Sequence, residues 1–219
     1  MLLPIIAVLI GVAVAPLTAS EVANDAKVIA NTLDLDDLKI RITPLQGSDN
    51  PSPLLVKYTS SACTIYVNNG ATAHAVWNRF LSDADGEYAA ALRDFAVAHE
   101  IGHCVVARLR SEAVEMPPLL GTAGAVLPVG SVTSGAVSSA FTGDETARGI
   151  SIKNYDEIAS DLIGLHFIRI AHPTAFDPVR NRVREVRAQL AAKDPMHDSS
   201  GYLAERNLAS IAKLVERFE

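Results

Sequence analysis

Cysteine and clustered charge are scarce in this chain, and each scarcity excludes a class of protein. The 219 residues contain two cysteines, which is too few for a C-x-x-C zinc ribbon. No five like charges follow one another and the formal net charge is −6, so neither nucleic acid nor an anionic membrane surface is expected as a partner. No internal repeat is detectable, and the length suits a single domain with a sizeable core.

Charge is also absent from residues 1–20, which are dominated by Leu, Ile, Val and Ala. Residues 2–14 fit the apolar region of a secretory signal, and residues 18–20 provide small side chains for cleavage. No Lys or Arg precedes this region and two prolines interrupt it, so an uncleaved membrane anchor is the alternative. We expect a protein exported to the periplasm or secreted, with residues 21–219 as its folded domain and a membrane as partner only if the anchor is retained.

The pattern H-E-x-x-H occurs at His99, Glu100 and His103, inside a predicted helix. Because residues i and i+4 share a helical face, both imidazoles can point at one metal ion and provide half of a tetrahedral zinc site. Glu100 projects toward the edge of that site, where it can take a proton from a water molecule. The alternative is a core helix with hydrogen-bonded histidines, but burying two His and a Glu without a metal is costly.

Two histidines do not complete a zinc site, and a candidate for the third ligand lies downstream of the motif. An E-x-x-x-D spacing places Glu157 and Asp161 on one face of a helix, one turn apart. Glu157 can complete a His/His/Glu set, with Asp161 or Asp156 as substitutes. Asp161 can instead accept the free ring N–H of a ligand histidine, which fixes the tautomer and raises the basicity of that ring.

These two motifs together resemble the gluzincin metallopeptidases, the thermolysin-like group with H-E-x-x-H followed by E-x-x-x-D. Residues 157–164 are also similar to the E-x-x-A-D-x-x-G segment of integral-membrane gluzincins, with Ser160 where Ala is usual. The metzincin class is excluded because Leu109 stands where its third histidine is required. The resemblance covers two helices.

The resemblance implies zinc-dependent hydrolysis of peptide bonds in an extracytoplasmic protein or peptide, with Glu100 as general base. The zinc ligands that it implies are His99, His103 and Glu157. A non-catalytic zinc-binding scaffold protein is the alternative function, although a purely structural site has no need of the Glu100 carboxylate.

The remaining patterns predict an α+β fold, in which a small N-terminal sheet precedes the active-site helix and a C-terminal helical part. The resemblance implies that this fold is zincin-like. If the resemblance holds, residues 62–68 form an edge strand beside the cleft and pair with extended substrate, and a plain structural strand is the alternative. Residues 116–143 carry no charge and are expected to form a loop or flap over the cleft. Predicted strands cover residues 38–42, 54–58 and 63–67, and predicted helices cover residues 21–33, 72–81, 88–110, 176–193 and 203–218.

Zincins need a second electrophile to stabilise the oxyanion of the tetrahedral intermediate, and His197, in a polar loop before the last helix, is our candidate. Tyr202 and Tyr155 are its rivals. The basic face of helix 176–193 is expected to be solvated, and it consists of Arg180, Arg182, Arg184, Arg187 and Lys193. The other histidines are expected in surface, packing or capping positions, and they are His74, His166 and His172.

The two cysteines, Cys63 and Cys104, leave two alternatives open. They are consistent with one disulfide in an oxidising compartment, and equally with two reduced and buried thiols. Cys104 directly follows His103 but points to a neighbouring face of the helix, so it is not expected to bind zinc.

Overall fold

The computed structural model describes residues 15–59, 62–112, 114, 116–120, 126–127, 144–191 and 197–216. The helices are α1 (Ala19–Thr32), α2 (Ala71–Phe80), α3 (Gly86–Ser111), α4 (Asp144–Ala171), α5 (Phe176–Ala191) and α6 (Glu205–Val215). The strands are β1 (Ile40–Leu45), β2 (Leu54–Thr59), β3 (Ala62–Asn68), β4 (Leu119–Leu120) and β5 (Val126–Leu127). The predicted α+β class is confirmed, and the long motif-bearing helix α3 separates a small sheet from three C-terminal helices.

The main sheet is mixed, with the order β1-β3-β2, in which β1 is parallel and β2 antiparallel to β3. The prediction that residues 62–68 form an edge strand is therefore wrong, because β3 is hydrogen-bonded on both sides. Its alternate side chains Cys63, Ile65 and Val67 are fully buried, as suits a central strand. The order of strands along the chain does not reveal that β1 joins β3 on the side away from β2.

The edge strands of the sheet are β1 and β2. Asn68 N–H donates to the Pro53 carbonyl at 2.9 Å, which fixes the alternation of hydrogen-bonded pairs in the antiparallel ladder. In that register Leu54, Val56 and Tyr58 direct their backbone N–H and C=O groups away from β3. Among the described residues no strand pairs with this side of β2, so three sets of backbone donors and acceptors face away from the sheet there and could pair with another extended chain.

Cys63 on β3 and Cys104 on α3 form a disulfide with an S–S distance of 2.02 Å. The bond confirms one of the two alternatives for the cysteines and removes Cys104 from consideration as a metal ligand. It joins the central strand to α3 at the residue that follows His103. The disulfide therefore fixes the motif-bearing helix against the sheet.

Helix α1 begins at Ala19 with a capping box, in which Thr18 and Glu21 bond each other's backbone N–H groups. Leu17 is buried in the core, and the predicted domain boundary at residue 21 stays a prediction. Residues 1–14, on which the predicted leader mostly falls, lie outside the described residues. Within the described part of the chain, no helix combines the length and apolar character needed to cross a membrane.

The predicted flap is described only in part. Leu119–Leu120 and Val126–Leu127 pair as two short antiparallel strands, and Leu119 is fully buried. Of the rest of the segment 116–143, only residues 116–118 are described. The role of the segment as a flap stays a prediction.

Candidate metal centre

The three predicted ligands lie together where α3 and α4 pack against each other. His99 Nε2 and His103 Nε2, one turn apart on α3, are separated by 3.1 Å. Glu157, on α4, places Oε2 3.6 Å from His99 Nε2 and Oε1 3.5 Å from His103 Nε2. These ligand atoms all lie within 4.8 Å of one another, and the three residues could hold a metal ion.

The donor set fits zinc in both chemistry and spacing. Two imidazoles and one carboxylate, with a fourth position left open, make up a common catalytic zinc site. Ligand atoms about 2.0–2.2 Å from a tetrahedral ion lie roughly 3.3 Å apart, close to the separations between these side chains. The role of the three residues as zinc ligands remains a prediction that this geometry supports.

Two glycines allow α3 and α4 to come this close. A Cβ on Gly102, between the two motif histidines, would lie 2.8 Å from the Cα of Ser160 on α4. A Cβ on Gly164 would lie 2.9 Å from a ring carbon of Phe95. Both distances are shorter than carbon atoms tolerate, so only glycine permits this helix contact, which brings Glu157 within reach of the histidines.

Asp161 lies one turn beyond Glu157 and contacts His99 on the side of the ring away from the cluster. Its Oδ1 is 2.8 Å from His99 Nδ1, which leaves Nε2 of that ring facing the cluster. The Asp161 side chain is fully buried, and burial alone would raise its pKa, but the charges of Arg187 and His99 hold that pKa well below its usual range. For His99 the balance is reversed, because burial would lower its pKa and the Asp161 carboxylate raises it. The E-x-x-x-D spacing thus places an anionic acceptor where a ligand histidine needs one.

Arg187 is a site residue that the sequence analysis missed. The prediction that it lies on a solvated face is wrong, since its side chain is 12% exposed. Its Nε and Nη2 donate to the two oxygens of Asp161 at 2.8 and 2.7 Å, and Nη2 lies 3.3 Å from Glu157 Oε2. Arg187 follows the buried Val183 by four residues, so it continues the apolar face of α5, and this spacing could have identified it.

The cluster opens onto a cleft of about 550 Å³, which Glu100 and His197 also line. Burial raises the pKa of Glu100, as does the neighbouring Glu157 carboxylate. His197 is 40% exposed, and its Nε2 lies 3.5 Å from Glu157 Oε1. Both residues stand where the predicted roles require them, and those roles remain predictions.

Several of the competing residues are engaged elsewhere. Asp156, the substitute ligand, binds Arg110 at 2.7 Å, and burial raises its pKa to about 6. The Tyr155 hydroxyl, a rival electrophile, donates to the Pro117 carbonyl at 2.7 Å. Of the other histidines, His74 lies beside Asn78 and His172 lies beside Asp94.

Comparison with known proteins adds no family to this description. No protein-family model matches the chain, and no curated protein or solved structure shows significant similarity to it. The chain is therefore assigned to no family. The features that bear on its function are the cluster of His99, His103 and Glu157, the cleft and the residues that line it.

Proposed function

We propose that this protein is a zinc-dependent peptidase with a zincin-like fold, acting on an extracytoplasmic protein or peptide. The observation that carries the proposal is the His99, His103 and Glu157 cluster, which opens onto a cleft that also contains Glu100. A structural zinc site is normally closed by four protein ligands, whereas three ligands beside a cleft leave a position for water or substrate. The Cys63–Cys104 disulfide supports export, because such bonds persist in oxidising compartments.

Zinc, when bound here, supplies a Lewis acid that polarises the substrate carbonyl and lowers the pKa of a water molecule. The Glu100 carboxylate takes the proton from the attacking water and passes it to the leaving amine. Its raised pKa suits both tasks, because a more basic carboxylate accepts a proton more readily and still releases it. His197 donates a hydrogen bond to the oxyanion as the tetrahedral intermediate forms.

Zinc content tests the metal site directly. We expect about one zinc per purified chain, and at least a 100-fold weaker affinity in Glu157→Ala, because losing a ligand costs more than losing a ligand's hydrogen-bond partner. Glu185→Ala is a matched control, since that carboxylate is exposed on α5. Elemental analysis after dialysis against a weak chelator measures the zinc retained by the unaltered protein and by each variant. Zinc retained in Glu157→Ala would move the third ligand elsewhere, and no zinc in the unaltered protein after reconstitution would contradict the proposal.

We further expect an extended peptide to pair with the open edge of β2, rather than with β3. β2 lines the cleft, and Val56 at its centre directs its N–H toward the open edge. Val56→Pro removes that donor without breaking the ladder to β3, since proline is tolerated on an edge. One lost hydrogen bond is worth about 1 kcal/mol, so kcat/KM should fall about five- to tenfold.

Val56→Thr is the control for this change, because it keeps the N–H and nearly the same shape. Zinc content should match that of the unaltered protein in both variants. If Val56→Pro retains zinc and cleaves peptides at an unchanged kcat/KM, the β2 edge does not bind the substrate.

A further inference from the structure

Residues 197–204, the described part of the loop before α6, are called here the His197 loop. Asp161 connects this loop to the proposed ligand cluster. Ser199 Oγ donates to Asp161 Oδ2 at 2.5 Å, while Oδ1 of the same carboxylate faces His99 Nδ1. Both Ser199 and Asp161 are fully buried. The loop is therefore attached to the same side chain that orients a predicted zinc ligand.

Ser199 stands at the centre of a turn in this loop. Its backbone N–H donates to the His197 carbonyl at 3.2 Å, and its own carbonyl accepts from Tyr202 N–H at 2.8 Å. A displacement of Ser199 would consequently move His197, which is two residues away. The buried hydroxyl resists displacement, because its acceptor is an ionised carboxylate and no water replaces the lost bond.

The Asp161 side chain is itself held in place by other contacts. Arg187 binds both oxygens of Asp161, and its Nη2 also contacts Glu157. Asp161 therefore accepts hydrogen bonds from α3, from α5 and from the His197 loop, although it is part of α4. The positions of the ligand His99 and of the His197 loop are both set by this one carboxylate.

We propose that Ser199 is a positioning residue for His197, and that its bond to Asp161 fixes the turn from which His197 reaches the cleft. This inference rests on the proposed function, in which His197 stabilises the oxyanion. Ser199 touches neither the cluster nor the cleft in this role and acts only through His197. The distance of 3.5 Å between His197 Nε2 and Glu157 Oε1 is the geometry that it maintains.

The kinetic test compares zinc-loaded full chains that carry Ser199→Ala, His197→Ala and both changes. Ser199→Ala should lower kcat ten- to a hundredfold, with KM and zinc content unchanged, because misplacing a group near the reacting atoms by about 1 Å has effects of that size. In the His197→Ala background the same change should have no further effect. Losses that multiply in the double variant, or a His197→Ala variant as active as the unaltered protein, would overturn the inference.

Ser200→Ala is the matched control, since the Ser200 hydroxyl donates to Asp198 at 2.6 Å rather than to Asp161. It should leave kcat unchanged. If Ser199→Ala does not fold, Ser199→Cys keeps nearly the same size with a weak S–H donor and should show a smaller loss of kcat.

A second readout does not depend on peptidase activity. Diethyl pyrocarbonate modifies exposed imidazoles, and mass spectrometry of the resulting peptides gives the rate at His197. We expect a several-fold faster rate in Ser199→Ala than in Ser200→Ala, with or without zinc, because the loop is no longer attached to Asp161. An equal rate in the two variants would overturn the inference even if hydrolysis depends on Glu100. A faster rate in a protein that binds zinc but hydrolyses no peptide would instead locate the failure in the proposed function.

Discussion

Replacing Glu100 with glutamine is expected to lower kcat/KM for peptide hydrolysis about 1,000-fold while zinc stays bound. Glutamine has nearly the same size and shape but cannot accept a proton from water, and general base catalysis contributes about 10²–10⁴-fold. Glu100 does not belong to the ligand cluster, so the metal content should not change. Hydrolysis of a quenched fluorescent peptide mixture, together with zinc analysis of the same sample, measures both quantities.

The position of Glu100 explains why replacing one carboxylate oxygen with an amide nitrogen should lower kcat/KM so strongly. Successive residues on a helix point about 100° apart, so Glu100 lies beside His99 without sharing the face of the two imidazoles. It lines the cleft next to the cluster, where a water molecule held near the zinc position would be within its reach. A carboxylate in this place has no evident part in holding α3 in the core, because the core contacts of α3 are made by its apolar residues.

Glu112→Gln is a suitable control, because Glu112 directly follows the last residue of α3, is 49% exposed and pairs with Arg108. It should keep full activity. Hydrolysis that persists unchanged in Glu100→Gln would rule out this residue as the base. Zinc binding without any hydrolysis by the unaltered protein would leave the non-catalytic zinc-binding scaffold as the better description.

The parts of the site that could be predicted from the sequence are those set by local geometry. The spacing of His99 and His103 places two imidazoles together on any straight helix, and the spacing of Glu157 and Asp161 does the same for two carboxylates. What local geometry does not determine is that the two helices pack against each other. Gly102 and Gly164 are the sequence signal for this packing, because the contact between α3 and α4 requires small residues at both positions.

The parts that could not be predicted depend on contacts between distant elements. Arginine is mostly exposed in proteins, so a helix with several arginines favours a solvated face until a buried acidic partner is known. That partner, Asp161, is 26 residues from Arg187. In the same way, residues 62–68 read as a strand, but whether they lie at an edge depends on where β1 adds to the sheet. Ser199 offered no signal, since a serine in a polar loop is ordinarily solvated.

Arg187→Met is expected to lower the free energy of unfolding of the zinc-free protein by about 3–5 kcal/mol, the range seen when one partner of a buried ion pair is removed. The change leaves the fully buried Asp161 carboxylate with Ser199 and His99 as its remaining donors among the described residues. Zinc affinity should also fall, by about 10–100-fold, because Asp161 would no longer hold His99 in a fixed orientation. Urea unfolding in the presence of a chelator measures the first effect without the stabilisation that metal binding adds.

Arg184→Met provides the matched control, since that side chain is exposed on the same helix and donates to the Leu203 carbonyl, at 3.3 Å, rather than to a buried carboxylate. It should change the free energy of unfolding by no more than about 0.5 kcal/mol. A loss as large as that of Arg187→Met would show that methionine is poorly tolerated on α5 for reasons unrelated to the ion pair.

Adding Asp161→Asn to Arg187→Met distinguishes a loss of charge balance from a loss of packing. If the penalty comes from an uncompensated buried charge, the double variant should be more stable than Arg187→Met alone, because asparagine is neutral and can still accept the N–H of His99. If the penalty comes from the missing guanidinium volume, the second change should add its own loss instead. The first outcome would show that Arg187 stabilises the site mainly by neutralising Asp161. A buried carboxylate could then contact His99, the proposed zinc ligand, inside an apolar core.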